Sequence, residues 1–146
     1  MKLHRFLRND QGAAVIELAI SYMLGLTMLL GILEFCMTVY TFAAVSEATR
    51  DGLHYATLHG SNSSSCAGPT SGCDSTAAAV TADITTFLAK FSTQATSPTI
   101  TIAYPESSSA PPSFVTITTT YTYRPLLGLP GFTHTFHTTA HGRILY

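Results

Sequence analysis

The sequence predicts an α+β protein in which a long N-terminal helix packs on a small antiparallel β-sheet, with one further helix. An apolar run too long for a strand begins near Ala13. A second stretch, Ser75 to Phe91, places apolar residues three and four positions apart, as on one face of a helix. The last third of the chain holds three runs in which apolar residues alternate with polar ones, mostly threonine, as in strands with one buried face.

The composition leaves room for one small globular domain besides the apolar run, because the whole chain has 146 residues. Charged residues make up only 10%, and Ser and Thr dominate beyond residue 60. This composition favours a secreted or surface-exposed module over a cytosolic enzyme. The residues before Gly12 carry a net charge of +2 and the rest −3, so no basic surface for nucleic acid is expected.

The apolar run predicts a single membrane-spanning helix. Leu18 to Leu33 are sixteen residues without a charge, and the run is interrupted mainly by Glu17 and Glu34. A basic cluster, Lys2, Arg5 and Arg8, precedes it, so the N-terminus is expected in the cytoplasm and the rest outside. We therefore expect a leader over 1–12, a transmembrane helix over 13–45 and an extracytoplasmic domain over 46–146. A cleavable secretory signal is the competing interpretation, but its apolar core is only ~7–15 residues long.

The helix is expected to become amphipathic after the membrane and to end at Gly60. Small and apolar residues recur at helical spacing on one face, and this face is expected to cover the sheet. The face comprises Val45, Ala48, Gly52, Tyr55, Ala56 and His59, whereas Glu47, Arg50, Asp51 and His54 point elsewhere. Asp74 or Ser75 is expected to cap the second helix.

Alternation assigns one face to each of the three strand-like runs. The shared faces are Ile100, Ile102 and Tyr104 in the first, Val115, Ile117, Thr119, Tyr121 and Tyr123 in the second, and Phe132, Phe136, Ala140 and Ile144 in the third. The connection from Leu126 to Phe132 is unusually apolar and is interpreted as a contact surface.

Cys66 and Cys73 lie in a short loop rich in glycine and serine, on the side of the membrane where disulfides persist. We expect them to form a disulfide. Cys36, within the apolar run, is expected to be a small buried apolar residue.

No pattern in the sequence predicts catalysis or a cofactor. His134, His137 and His141 fall on both faces of one strand, and His137 and His141 are about 13 Å apart, so they do not converge on a metal. The sequence contains no motif for a catalytic nucleophile, no phosphate-binding loop and no pair of carboxylates placed for acid–base catalysis. We expect no enzyme activity, no metal, no cofactor and no small-molecule substrate.

Gly12 and Glu17 remain to be explained. Taken singly, Gly12 is a hinge and Glu17 a carboxylate at the headgroup boundary. The order of basic leader, glycine, four small or aliphatic residues, glutamate and apolar span resembles the class III signal of type IV pilins and pseudopilins. That resemblance implies a pilin-type helix, cleavage between Gly12 and Ala13 by a prepilin peptidase, and a role for Glu17 in subunit assembly.

The opening block R-N-D-Q-G-A-A-V-I-E-L-A is similar to that of the TadE-like minor pseudopilins of the tight-adherence (Flp, type IVc) pilus system. G-I-L-E-F places Glu34 at a second acidic position at the membrane end, and Y-R-P-L-L-G-L-P-G resembles the C-terminal region. Leu18 stands where major Flp pilins have an aromatic residue, which favours a minor component.

The resemblance implies a bacterial inner-membrane protein that takes part in pilus assembly and cell adhesion. The implied partners are a prepilin peptidase, other minor pseudopilins, the major Flp pilin, an inner-membrane platform protein and membrane lipid. The alternative is an uncleaved single-pass anchor that carries an extracytoplasmic binding module.

Overall fold

The computed structural model describes residues 10–91, 97–125, 128 and 133–145 of the chain. The chain divides into two compact units, Met1–Met37 and Thr38–Tyr146. The described elements confirm the α+β class: a long helix, a second helix and one antiparallel sheet. They are α1 (Asp10–Leu58), α2 (Ala78–Phe91), β1 (Thr99–Ala103), β2 (Phe114–Tyr123) and β3 (His134–Arg143).

The sheet has the order β1-β2-β3, and both pairings are antiparallel. The central strand, β2, buries every second residue from Val115 to Tyr123. Ile102 pairs with Ile117, and Tyr121 pairs with Phe136, so apolar side chains meet across the buried face. The faces predicted from alternation are confirmed for β1, β2 and the described part of β3.

The second half of α1 covers the buried face of the sheet, as predicted. Phe42 meets Phe136 edge to face with ring centroids 5.6 Å apart. The Thr49 hydroxyl lies 2.9 Å from that of Thr138. A Cβ on Gly142 would lie only 2.9 Å from the Thr57 methyl carbon, so the helix and strand backbones approach closely there. β3 therefore runs alongside α1 in the same direction.

α1 also packs against α2, through Gly52, which was expected on the face that covers the sheet. A Cβ on Gly52 would overlap Cγ1 and Cδ1 of Ile84, and Ile84 is fully buried. Glycine suits this position because a side chain would have to displace Ile84 or separate the two helices. The second half of α1 thus contacts both α2 and the sheet, and Val45, Ala48 and Ala56 are buried as expected.

Three helix boundaries differ from the sequence prediction. α1 begins at Asp10, before the expected start near Ala13, and ends at Leu58, before the expected end at Gly60. α2 begins at Ala78, three residues later than expected. The cause is the Asp74 carboxylate, which accepts hydrogen bonds from the backbone N–H groups of Thr76 and Ala78 and so builds a turn before the helix.

Candidate functional site

Ala13 and Glu17 lie on one exposed face of α1, close to its start at Asp10. Residues four apart on a helix are neighbours, so the two side chains occupy consecutive turns. They line an open groove on the helix surface together with Ile16, Ile20 and Ser21. The structure therefore brings the expected new N-terminal residue and the expected assembly residue together on one surface.

Gly12 has free space around it. A Cβ added at Gly12 would meet no heavy atom within 4 Å, and the same holds for Gly25 and Gly31 in the same helix. Replacing Gly12 by alanine therefore creates no clash with the fold. An effect of that substitution on cleavage would come from recognition of the site by a peptidase.

Glu17 forms no hydrogen bond or ion pair with any described residue. An unpaired carboxylate is costly in a membrane, so a partner from another molecule or a newly formed charge would stabilise it there. The basic residues expected to set the topology, Lys2, Arg5 and Arg8, lie outside the described residues.

The surface of α1 after Glu17 is apolar and exposed. The exposed fraction is 73% at Leu18, 73% at Leu24 and 54% at Leu33. Within the described residues, α1 is long and apolar enough to cross a membrane, and its apolar 18-residue window has a mean hydropathy of 2.0. Such a surface is unfavourable in water, and the helix is compatible with a single-pass membrane anchor.

Glu34 and Cys36 lie further along the same helix. Glu34, the predicted acidic position at the membrane end, is half-buried. Cys36 is a free thiol and is exposed, so the expectation that it is buried is wrong. The sequence could not reveal this, because an apolar stretch looks the same whether protein or lipid surrounds it.

Cys66 and Cys73 form the predicted disulfide, with their Cα atoms 4.9 Å apart. Backbone hydrogen bonds tie the same two segments together: Asp74 N–H donates to the Cys66 carbonyl at 3.1 Å, and Gly68 N–H donates to the Asp74 carbonyl at 2.8 Å. The bridge therefore positions Asp74 at the start of α2.

The Asp74 carboxylate accepts several hydrogen bonds from neighbouring residues. The Thr76 hydroxyl and the backbone N–H groups of Ala78 and Thr76 donate to it, and they lower its pKa below the usual 3.8. These donors stabilise the charged form, as expected for a helix cap.

A second set of contacts holds the disulfide loop against the segment between β1 and β2. Thr70 and Ser109 join through their hydroxyls at 2.7 Å, and Tyr104 donates to the Ala67 carbonyl at 3.4 Å. Partial burial raises the pKa of Tyr104, and the charge on Asp74 adds to the effect. These pairs are 37 and 39 residues apart in the chain, and no local pattern marks them.

The histidines of β3 pair with threonines on the exposed face of the sheet. His141 Nδ1 lies 2.9 Å from the Thr116 hydroxyl, and His137 Nδ1 lies 3.1 Å from that of Thr120. His134 is exposed at the start of the strand. No three His, Cys, Asp or Glu residues of the described part of the chain lie where they could hold a metal ion.

The interpretation of Leu126 to Phe132 as a contact surface falls outside the described residues, apart from Gly128. Gly128 is exposed and has a φ of +61°, a backbone conformation that glycine adopts without steric cost.

Comparison with known families gives a match in the membrane-span half of the chain. The family described as TadE-like protein matches residues 12–54, a segment that starts at Gly12 and ends in the amphipathic half of α1. Neither the curated proteins nor the solved structures contain a match. Both Glu17 and Glu34 fall within the matched segment. Residues 12–54 are therefore TadE-like, and the resemblance to this family predicted from the opening block is confirmed.

Proposed function

We propose that this protein is a minor pseudopilin that takes part in assembling a Flp-type pilus, after a prepilin peptidase has cleaved it between Gly12 and Ala13. One observation carries the proposal: the TadE-like match begins at Gly12 and includes Glu17, an exposed carboxylate on an otherwise apolar surface of α1. The role is structural and not catalytic.

Cleavage explains why Glu17 is tolerated beside a membrane span. Hydrolysis of the Gly12–Ala13 peptide bond releases an ammonium group on Ala13, and the open groove places both residues on one face. A carboxylate in a region of low dielectric constant is stabilised by an opposite charge with good hydrogen-bond geometry. In a filament the ammonium of a neighbouring subunit fills this role, and the pair sets the register between subunits.

The rest of the chain supports an extracytoplasmic position for the folded domain. The basic leader favours the cytoplasmic side of the inner membrane for the N-terminus. The Cys66–Cys73 disulfide lies beyond the span, and disulfides persist outside the cytoplasm. The partners that follow are the peptidase, other minor pseudopilins, the major pilin and an inner-membrane platform protein.

The size of the domain supports a minor component. Residues 38–146 form one compact unit with two helical segments, a three-stranded sheet and a disulfide. Major Flp pilins, by comparison, consist of a short helix with almost no globular domain. A subunit with this bulk fits a place at the start or tip of a filament, or in the assembly machinery.

The experiment is complementation of a deletion strain with three forms of the chain. The wild type and Gly25→Ala are expected to restore pili and surface adherence, whereas Gly12→Ala is expected to leave the leader attached and restore neither. Gly25 is the matched control because an added Cβ meets no neighbour at either position. Normal pili and adherence from uncleaved Gly12→Ala protein would contradict the proposal and favour an uncleaved membrane-anchored binding module.

A further inference from the structure

The outer face of the sheet, opposite the face that α1 covers, is lined with hydroxyl and imidazole groups. Along β2 and β3, cross-strand pairs of two threonines alternate with pairs of a threonine and a histidine, and the β3 member of each pair is exposed. Thr99 and Thr101 of β1 extend the face and are also exposed. We call these two residues and the following pairs the threonine–histidine face: Thr122–Thr135, Thr120–His137, Thr118–Thr139 and Thr116–His141.

The outer face of the sheet contains no carboxylate. Register and alternation complete this face with Ala103, Phe114 and Arg143 at one end, and Arg143 is its one permanently charged residue. Exposed surface usually mixes charges of both signs, so a face without an acidic residue repels no anion. The charged or titratable residues of α1 belong to the element on the opposite face of the sheet: Glu47, Arg50, Asp51 and His54.

The sequence around the sheet has the same imbalance of charge. Glu106, in the connection after β1, is the only acidic residue that follows Asp83. Two arginines against this glutamate give the chain after Phe91 a charge of +1, and three charged histidines would raise it to +4. The sheet therefore becomes the cationic part of a chain whose net charge at pH 7 is −1.

The two histidines of the face each leave one ring nitrogen for an outside partner. The Thr120 and Thr116 hydroxyls lie against Nδ1 of His137 and His141, whereas neither Nε2 atom has a partner among the described residues. Imidazole is the side chain that gains a charge between pH 8 and 5, and the charged ring donates from both nitrogens. Nδ1–H then donates to the threonine, and Nε2–H can donate to an acceptor on another molecule.

Charge complementarity selects an anionic partner, and the other side chains narrow its class. Threonine hydroxyls both donate and accept hydrogen bonds, as the hydroxyls of sugars do. A nucleic acid is held by several lysines and arginines and by aromatic side chains that stack on bases. The outer face offers one arginine, no lysine and one aromatic residue, Phe114, at its end. A protein partner brings apolar anchors, and between the histidines the face has only threonine methyl groups to receive them.

The dimensions of the face suit an extended chain. Three strands about 4.8 Å apart make it about 10 Å wide, and His137 and His141 lie about 13 Å apart along β3. We propose that the threonine–histidine face binds an acidic polysaccharide, with its carboxylates at the two imidazoles and its hydroxyls on the threonines. Binding is tightest when the histidines are charged. This role goes beyond the proposed function and needs neither cleavage after Gly12 nor pilus assembly.

Polygalacturonate, a linear acidic polysaccharide, is the probe. Dextran serves as the uncharged polysaccharide and single-stranded DNA as an anionic polymer of another class. The full chain is held in nanodiscs of zwitterionic phospholipid, and binding is measured by biolayer interferometry at about pH 5.5 and about pH 7.5 at one ionic strength. Empty nanodiscs give the baseline. The variants are His137→Gln/His141→Gln, His137→Arg/His141→Arg and, as the matched control, His54→Gln at an exposed histidine of α1.

We expect polygalacturonate to bind at least about tenfold more tightly at the lower pH, because imidazoles change from mostly neutral to mostly charged over this range. Dextran should not bind. The double glutamine variant should lose the gain, with unchanged far-ultraviolet circular dichroism, and His54→Gln should behave as the wild type. The double arginine variant should bind at the higher pH as tightly as the wild type does at the lower pH.

Four results would overturn the proposal. They are absence of polygalacturonate binding at the lower pH, equal wild-type affinity at both pH values, unchanged affinity of the double glutamine variant, and DNA binding as tight as that of polygalacturonate. The last result would indicate a surface for any polyanion. A loss of binding in His54→Gln equal to that in the double glutamine variant would likewise remove the assignment to this face.

Discussion

Thr49 of α1 and Thr138 of β3 share a hydrogen bond of 2.9 Å in the middle of the contact between helix and sheet. Thr49 is only 1% exposed, and its hydroxyl also lies 2.8 Å from the Val45 carbonyl. A buried hydroxyl is tolerated when it has a partner. The bond therefore helps to position α1 on β3.

The same substitution at two buried threonines should have opposite effects. Thr49→Val leaves the Thr138 hydroxyl without its helix partner and should lower the free energy of unfolding by about 1 to 2 kcal/mol. Thr119→Val removes a buried hydroxyl that has no partner among the described residues, and should leave stability unchanged or increase it by up to about 1 kcal/mol. Chemical denaturation in detergent micelles measures both. A loss at Thr119 as large as that at Thr49 would show that its hydroxyl has a partner.

Gly52→Ala should separate α1 from α2. The added methyl group would overlap Ile84, which is fully buried, and forcing extra atoms into a packed core costs about 1 to 3 kcal/mol. Gly25→Ala, which meets nothing within 4 Å, is the control and should not change the thermal midpoint of the domain. Equal midpoints for the two variants would mean that the helices are not packed as closely as described.

Loss of the disulfide should destabilise the loop and the start of α2 together. In the chain-entropy model, a ring of this size raises the free energy of the unfolded chain by about 2 kcal/mol. The double variant Cys66→Ser/Cys73→Ser should therefore unfold at a lower denaturant concentration. Cys36→Ser is the control because Cys36 is a free thiol. Faster amide exchange at Ala78 in the double variant is also expected, since the bridge positions its cap, Asp74. Unchanged amide exchange at Ala78 would mean that the disulfide does not position the Asp74 cap.

Asp74 should make stability depend on pH in the acid range. Its folded pKa lies below 3.8, so the folded protein binds this proton less tightly than the unfolded chain. The stabilisation is therefore complete above the unfolded value and is lost as pH falls through the folded pKa. The difference in melting temperature between wild type and Asp74→Asn should be largest near neutral pH and shrink below about pH 4. Asp51→Asn, on the exposed side of α1, is the control, and a pH-independent difference for Asp74→Asn would contradict the assignment.

The periodic features of the fold could be predicted from the sequence. The alternation from Val115 to Tyr123 identified the buried face of β2, and the helical spacing from Val45 to Ala56 identified the face of α1 that is covered. Both patterns arise because burial imposes the period of the backbone on the side chains. The disulfide could be predicted because only a short flexible loop separates the two cysteines.

Contacts between distant segments could not be predicted in the same way. Tyr104 and Ala67, or Ser109 and Thr70, carry no local signal, because hydroxyl groups occur throughout this chain and only the fold selects which of them meet. The sequence prediction starts α2 too early because the Asp74 carboxylate holds a turn that ends at Ala78. In the candidate site, the order of Gly12, Ala13 and Glu17 could be recognised in the sequence. The free space around Gly12 could not, because it depends on how the chain folds.

Glu17 should matter for assembly and not for cleavage. Glu17→Gln keeps the size of the side chain but removes its charge, so the leader should be cut normally while the pairing with the Ala13 ammonium is weakened. Ser21→Ala, one turn further along the same groove, is the control. Co-purification with the other pilus components measures assembly. Normal co-purification of the Glu17→Gln protein would remove the proposed role of the charge.

The mass of the mature protein tests cleavage between Gly12 and Ala13 most directly. The chain is extracted from membranes of cells that contain a prepilin peptidase, and its N-terminus is determined by intact mass and N-terminal sequencing. We expect an N-terminus at Ala13, with the twelve residues of the leader removed. A chain that retains Met1 in those cells would contradict it.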